Sequence, residues 1–220
     1  MFNLEERMKE DYEKRNRHFL TRRVPVIVRV DGRAFHTFTK GFPRPFSMEL
    51  STAMVGAAIA LAEEMQGFKV GYVQSDEASF LLTDYDEINT GAWFNYCQGK
   101  IDSISSSIMT AAFNRLIGTA KPAHFDARSF NVPKEEIANY FLWRAKDWER
   151  NSLTMYCQSF FSAKQLMGKN KEDKHQMLHE IGKNWAMDVP ERFRNGCWIF
   201  KDGVRTDILP NYPSVQEVMQ

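Results

Sequence analysis

Cysteine is scarce in this chain. Cys97, Cys157 and Cys197 lie 40 or more residues apart. No CxxC pair occurs, which excludes a zinc ribbon and a thioredoxin-type site. An odd number of thiols, with no apolar leader-like run in Met1–Arg7, predicts free cysteines and a cytoplasmic protein. No stretch approaches the ~18 apolar residues of a membrane span. An excess of one charge is also lacking: 29 Lys and Arg face 28 Asp and Glu, and a net +1 excludes a histone-like polycation. The common phosphate motifs are missing. Without GxxxxGK[ST] there is no P-loop, and without GxGxxG after a strand there is no Rossmann site. GxSxG and HExxH are absent as well.

What is present suits a single globular domain. The 220 residues are 43% apolar and 26% charged, enough to bury a core and too apolar for disorder. Charge is uneven along the chain. Residues 1–50 carry 11 Lys/Arg and 7 Asp/Glu (net +4), and residues 51–100 carry 2 and 7 (net −5). A local patch suited to nucleic acid can therefore hide inside a balanced total.

Residues 4–18 read as a charged helix, and the β-branched run 24–30 (VPVIVRV) as a strand. Leu50, Met54, Ala57, Ala58, Leu61 and Met65 recur at helical spacing behind a Ser47 N-cap, with Gly67 as the stop. Residues 68–74 and 77–83 predict two strands joined by a tight turn. A second helix is expected over about 91–117, with a stripe on Ile101, Ile104, Ile108, Ala111 and Ala112. A strand at 124–130 follows, and then a helix opened by Asn131 and Pro133. Strand, helix, strand, strand, helix, strand is the split βαβ order of ferredoxin-like sheets. The expected class is α+β: a palm-like antiparallel sheet with long helices on one face. Residues 1–132 would form the catalytic region and 133–220 a mostly helical part of the same compact domain.

The chemistry rests on acids at strand ends. Asp31 closes the first strand, followed by Gly32, and Asp76 and Glu77 occupy the turn between the second and third. This topology sets the first strand beside the one bearing the hairpin, so Asp31 and Asp76 converge. Close carboxylates repel and call for a cation. Mg²⁺ prefers such oxygens and leaves waters for substrate phosphates, and two ions suit phosphoryl transfer. Ordinary turn residues are the plainer reading, since Asp-Gly is a common turn dipeptide.

Longer motifs favour the catalytic reading. VIVRVDGRAFH (26–36) and GYVQSDEASF (71–80) resemble the two signatures of the tRNA-histidine guanylyltransferase family. FDAR (125–128) and YFLWR (140–144) are similar to two further stretches of it. The resemblance implies a nucleotidyltransferase that extends tRNA 5′ ends in the 3′-to-5′ direction, with ATP or GTP as activating and incoming nucleotides. It implies Asp31, Asp76 and Glu77 as catalytic residues, and Asp31, Gly32 and Asp76 as ligands of two Mg²⁺. The nucleotide would be held by Arg29, Asp31, Gly32, Arg33, Ala34, Phe35, His36, Arg44, Ser75, Asp76, Lys100 and Arg128. Plain alternatives are a core histidine for His36 and an exposed helix lysine for Lys100. RNA would meet Asn151, Arg150, Lys9, Lys14 and Arg15, on a homo-oligomer assembled as a dimer of dimers.

Two departures from the family pattern stand out. Arg44-Pro45-Phe46-Ser47 replaces a lysine-proline-asparagine-aspartate run, and Glu149 occupies a family histidine position. The second resembles the guanylyltransferase-like subgroup, which repairs truncated tRNA 5′ ends by template. Glu149 is expected to repel a 5′-phosphate. A palm-type nucleotidyl cyclase and a catalytically silent tRNA-binding module are the competing readings.

Overall fold

The computed structural model describes residues 3–219. Its helices are α1 (Leu4–Met8, continued by a π turn Lys9–Glu13), α2 (Phe35–Phe38), α3 (Met48–Glu64), α4 (Gln98–Ile117), α5 (Ile137–Cys157), α6 (Ala163–Leu166), α7 (Lys171–Glu180), α8 (Trp185–Asp188), α9 (Glu191–Asn195) and α10 (Tyr212–Val218). Its strands are β1 (Val26–Gly32), β2 (Phe68–Gln74), β3 (Glu77–Leu82), β4 (Phe125–Asn131), β5 (Cys197–Phe200) and β6 (Gly203–Arg205). They form one antiparallel sheet in the order β4-β1-β3-β2-β5-β6. The first four strands in the sequence keep the expected split βαβ order, β4-β1-β3-β2. Strand β5 lengthens the sheet along β2, and β6 pairs beyond it.

Strand alternation assigns the two faces. Val26, Val28 and Val30 of β1 point with Ala78, Phe80 and Leu82 of β3 into a core shared with α3 and α4. Ile27, Leu81, Val70 and Tyr72 face the other way, onto Ile137, Ala138, Phe141 and Ala145 of α5. Long helices therefore cover both faces, two on one and α5 on the other. The far half of α5 leaves the sheet and organises a third core with α7, α8 and α9 through Leu153, Cys157, Leu178, Trp185 and Phe193.

Local expectations hold in part. Ser47 caps α3, its hydroxyl accepting the Leu50 N–H. The Ser75-Asp76 turn joins β2 and β3 as expected. The helix expected from residue 91 instead begins at Gln98. Phe94, Asn95 and Tyr96 all have positive φ, which breaks the helical path. The buried row of α4 is Ile101, Ser105, Met109, Ala112 and Phe113, with Ile104 and Ala111 exposed. A serine in the core row hid its true phase from a reading based on apolar spacing.

Candidate active site

Asp31 stands in register with Glu77 on one side and Asp126 on the other. Alternation places Arg29 and Asp31 on the α5 face of the sheet, and the hairpin brings Asp76 alongside. The Gly32 N–H donates to the Asp76 carbonyl at 3.0 Å, tying the two acidic loops together. Gly32 is required there, because a Cβ would lie 2.2 Å from the Phe35 ring. That ring is fixed by edge and tilted contacts with Phe38, Phe113 and Phe125 at 5.1–5.5 Å. Both loops carry a non-glycine residue in the left-handed region, Ala34 (φ 53°) and Ser75 (φ 48°). Such strain persists only where the surroundings over-determine it.

The three acids differ electrostatically. Glu77 is buried, and both its oxygens accept from Arg144 (2.7 and 2.8 Å), with Arg29 Nε at 3.4 Å. Its charge is compensated within the protein. Asp31 is paired only loosely with Arg29, at 3.9 Å, and burial raises the Asp31 pKa against the arginine's pull. Asp76 has no ion-pair partner among the described residues. Burial pushes its pKa up to about 6, and the neighbouring Asp31 and Glu77 charges add to that. No cluster of three or more His, Cys, Asp or Glu side chains is placed to hold a metal among the described residues. Two under-compensated carboxylates beside the Gly32 backbone nevertheless suit a hard cation that takes its remaining ligands from water and phosphate.

Helix α5 supplies the opposite wall. Arg144, Asp147, Trp148, Asn151, Thr154, Met155 and Gln158 recur at helical spacing and line a cavity of about 360 Å³ with Asp31, Gln74, Ser75, Asp76 and Glu77. A second cavity of about 410 Å³ adjoins it. Its walls are mainly apolar, including Phe35, Phe42, Pro45, Phe46, Leu50 and Phe193, with Phe46 stacked on Phe193 at 4.8 Å. The two share Gln74, Ser75, Trp148, Met155 and Gln158.

The structure sorts the expected site residues into groups. Asp31, Ser75, Asp76 and Glu77 line the carboxylate cavity, with Asn151 opposite. Phe35, His36, Arg44 and Ser75 line the apolar one. His36 is exposed, so it is no core histidine. Arg33 is exposed, with its N–H on the His124 carbonyl at 2.8 Å. Lys100 lies apart, in a cleft with Arg17 and His18 that shares no lining residue with the other two. Arg128 is paired with Asp126 at 3.0 Å. Lys9, Lys14 and Arg15 each pair with an acid one turn away, Glu5, Glu10 and Asp11. Arg150 pairs with Asp147.

Glu149 departs from its expected role. It lines neither cavity, and Lys171 neutralises it at 2.9 Å. Position 149 falls off the face defined by 144, 148, 151 and 155, so helical phase removes it from the site. Sequence reasoning assigned no role to Arg144, Asp147, Trp148 or Gln74. YFLWR and QSDE contained two of them, and the α5 periodicity points to the others.

The tRNAHis guanylyltransferase family model matches residues 5–133. An uncharacterised protein of Acanthamoeba polyphaga mimivirus is 28% identical over 212 residues, covering 84% of this chain and 72% of its own length. A probable tRNA(His) guanylyltransferase of Dictyostelium discoideum is 27% identical over 209 residues, covering 84% and 78%. Among solved structures, a bacterial tRNA(His) guanylyltransferase-like protein in complex with ATP superposes with a TM-score of 0.89 at 40% identity, over 93% of this chain and 92% of that one. Another, in complex with GTP, gives 0.84 at 34% identity, over 99% and 98%. With more than half of its length matched by the family model, and with these motifs on this palm-like sheet, the chain belongs to the tRNAHis guanylyltransferase family of nucleotidyltransferases.

Proposed function

We propose that this chain adds nucleotides to the 5′ end of tRNA in the 3′-to-5′ direction, restoring truncated acceptor stems by template. The observation that carries this reading is the pairing of two under-compensated carboxylates, Asp31 and Asp76, with an apolar cavity sized for a nucleobase. The relatives named for tRNA(His) and the bacterial structures with ATP and GTP support it. Asp31, Asp76 and the Gly32 carbonyl would hold two Mg²⁺, which supply charge neutralisation at the phosphates and a lowered pKa for an attacking hydroxyl.

The chain's own residues do the rest. The Phe35–Phe46–Phe193 wall takes the base, and the Ala34 and Ser75 loops bring backbone to the nucleotide. Arg29 contributes positive charge toward the phosphates, and Arg44 lines the base cavity. A 3′-hydroxyl of the incoming nucleotide forms the new O–P bond at the 5′-terminal α-phosphorus. The bond to pyrophosphate breaks and pyrophosphate leaves. Pairing with the opposite strand of the acceptor stem selects the base. The working form is a dimer of dimers, with tRNA reaching more than one subunit.

The test is labelled 5′-truncated, 5′-triphosphorylated tRNA given each nucleoside triphosphate in turn, with product length read on a gel. Each missing pair should be restored with its Watson–Crick partner, and addition should stop at a complete stem. A single guanylate added to full-length histidine tRNA faster than any repair would overturn the repair reading. A cyclic nucleotide formed without RNA would indicate the cyclase instead.

A further inference from the structure

Gln74 is the last residue of β2 and only 5% exposed, and its side-chain amide opens onto the cavities with no hydrogen bond to any described residue. An amide set in such a recess is free to pair with whatever fills it. Its place in the fold explains what it waits for. Cross-strand pairing sets Gln74 opposite Glu77, on the α5 face of the sheet. It lines both cavities and so sits at their junction. Trp148, across the same junction, is 4% exposed, and its indole N–H is buried with no acceptor among the described residues. The shared wall thus holds polar capacity that the protein does not satisfy. Glu77, its partner across the strand pair, shows the contrast, since Arg144 takes both its oxygens.

The chemistry of the two cavities identifies the missing partner. One end of the cleft is aromatic and suits a nucleobase. The other is acidic, and through a cation it suits a triphosphate. In a nucleotide spanning the two, the group in between is the ribose. A ribose hydroxyl donates one hydrogen bond and accepts others, and a carboxamide offers both an N–H donor and a C=O acceptor. We propose that Gln74 reads the ribose of the bound nucleotide through a hydrogen bond to one of its hydroxyls, making this site selective for ribonucleotides over deoxyribonucleotides. This assignment rests on the nucleotide reading above. It adds a discrimination that the carboxylates cannot provide, because they act on phosphates that deoxynucleotides share.

Calorimetric titration of the full chain with ATP, 2′-deoxy-ATP and 3′-deoxy-ATP in Mg²⁺ tests it. The native protein should bind one deoxy analogue about five- to tenfold more weakly than ATP, since the site's amide then lacks its partner. The analogue affected identifies the hydroxyl. Gln74→Leu should weaken ATP by the same factor and bind ATP and that analogue alike. Should Gln74→Leu fail to fold, Gln74→Met keeps the length of the side chain and should erase the same ratio. Equal binding of all three by the native protein overturns the assignment, as does a deoxy penalty that survives in the folded variant. If ATP itself does not bind, the nucleotide reading fails first, and the two outcomes are distinct.

Discussion

Three acids at neighbouring strand ends meet three different fates, and the difference lies in which cation stands beside each. Glu77 is held by Arg144. Among the described residues Asp31 and Asp76 lack such a close partner, which leaves their oxygens available. Asp31→Ala and Asp76→Ala should each lower nucleotide addition about 10³-fold or more while circular dichroism shows an intact fold, because each removes a charge and no core volume. The raised Asp76 pKa also makes a stability prediction. Its folded value of about 6 exceeds the ordinary 3.8, so the folded chain binds the proton more tightly than the unfolded one. Its contribution to stability therefore falls as pH rises through that window and is an unrelieved cost above it. Without Mg²⁺ at alkaline pH, Asp76→Asn should melt higher than the native chain by a few degrees, roughly 1 kcal/mol after discounting for partial exposure. The difference should vanish near the lower end of the window, and Mg²⁺ should stabilise the native chain alone.

Helix α5 is the element on which the site depends. One stretch of it seals the sheet through Ala138, Phe141 and Ala145, and another holds the helical lobe through Leu153 and Cys157. The turns between them carry Arg144, Asp147 and Asn151 over the ends of β1 and β3. Arg144 is buried, paired to Glu77 and stacked over the Trp143 ring at 4.5 Å. Arg144→Ala would strand the Glu77 carboxylate in the interior, with only Arg29 to soften the loss. Urea unfolding should show destabilisation of roughly 3 kcal/mol, and Arg144→Met combined with Glu77→Gln should recover most of it. Both single and double variants should lose activity, since the hairpin bearing Asp76 is then free to shift.

At the scale of the whole molecule, the balanced charge conceals an uneven surface. The basic side chains Lys9, Lys14 and Arg15 of the first helical segment are each paired with an acid one turn away, and all these pairs are exposed. Exposed pairs of this kind are weak, so RNA phosphates can compete for the cations. Raising salt from about 50 to 200 mM should weaken tRNA binding at least a hundredfold, and Lys9→Ala, Lys14→Ala and Arg15→Ala together should flatten that slope by roughly one unit for each RNA phosphate that no longer meets a cation. Filter binding at several salt concentrations measures both. Light scattering should return four times the 25.6 kDa chain mass for the active species, and an active monomer would contradict the dimer of dimers.

How much of this was legible before the fold was known differs from residue to residue. Strand order, the Ser47 cap, the β2–β3 turn and the convergence of Asp31 with Asp76 follow from periodicity, turn chemistry and topology, which are local or nearly so. The long motifs added the chemistry. Tertiary structure alone decided the remainder, because it depends on contacts between residues far apart in sequence. The phase of α4 rests on a buried serine, and its start on a left-handed turn at Phe94–Tyr96. Lys100 sits in a cleft of its own because α4 lies on the sheet face opposite the acids. Glu149 leaves the site by helical phase and finds Lys171 from another helix. Glu77 is compensated by an arginine 67 residues away, and Asp76 is not. A sequence displays which carboxylates are present, but which of them stays uncompensated is settled by where distant cations fold.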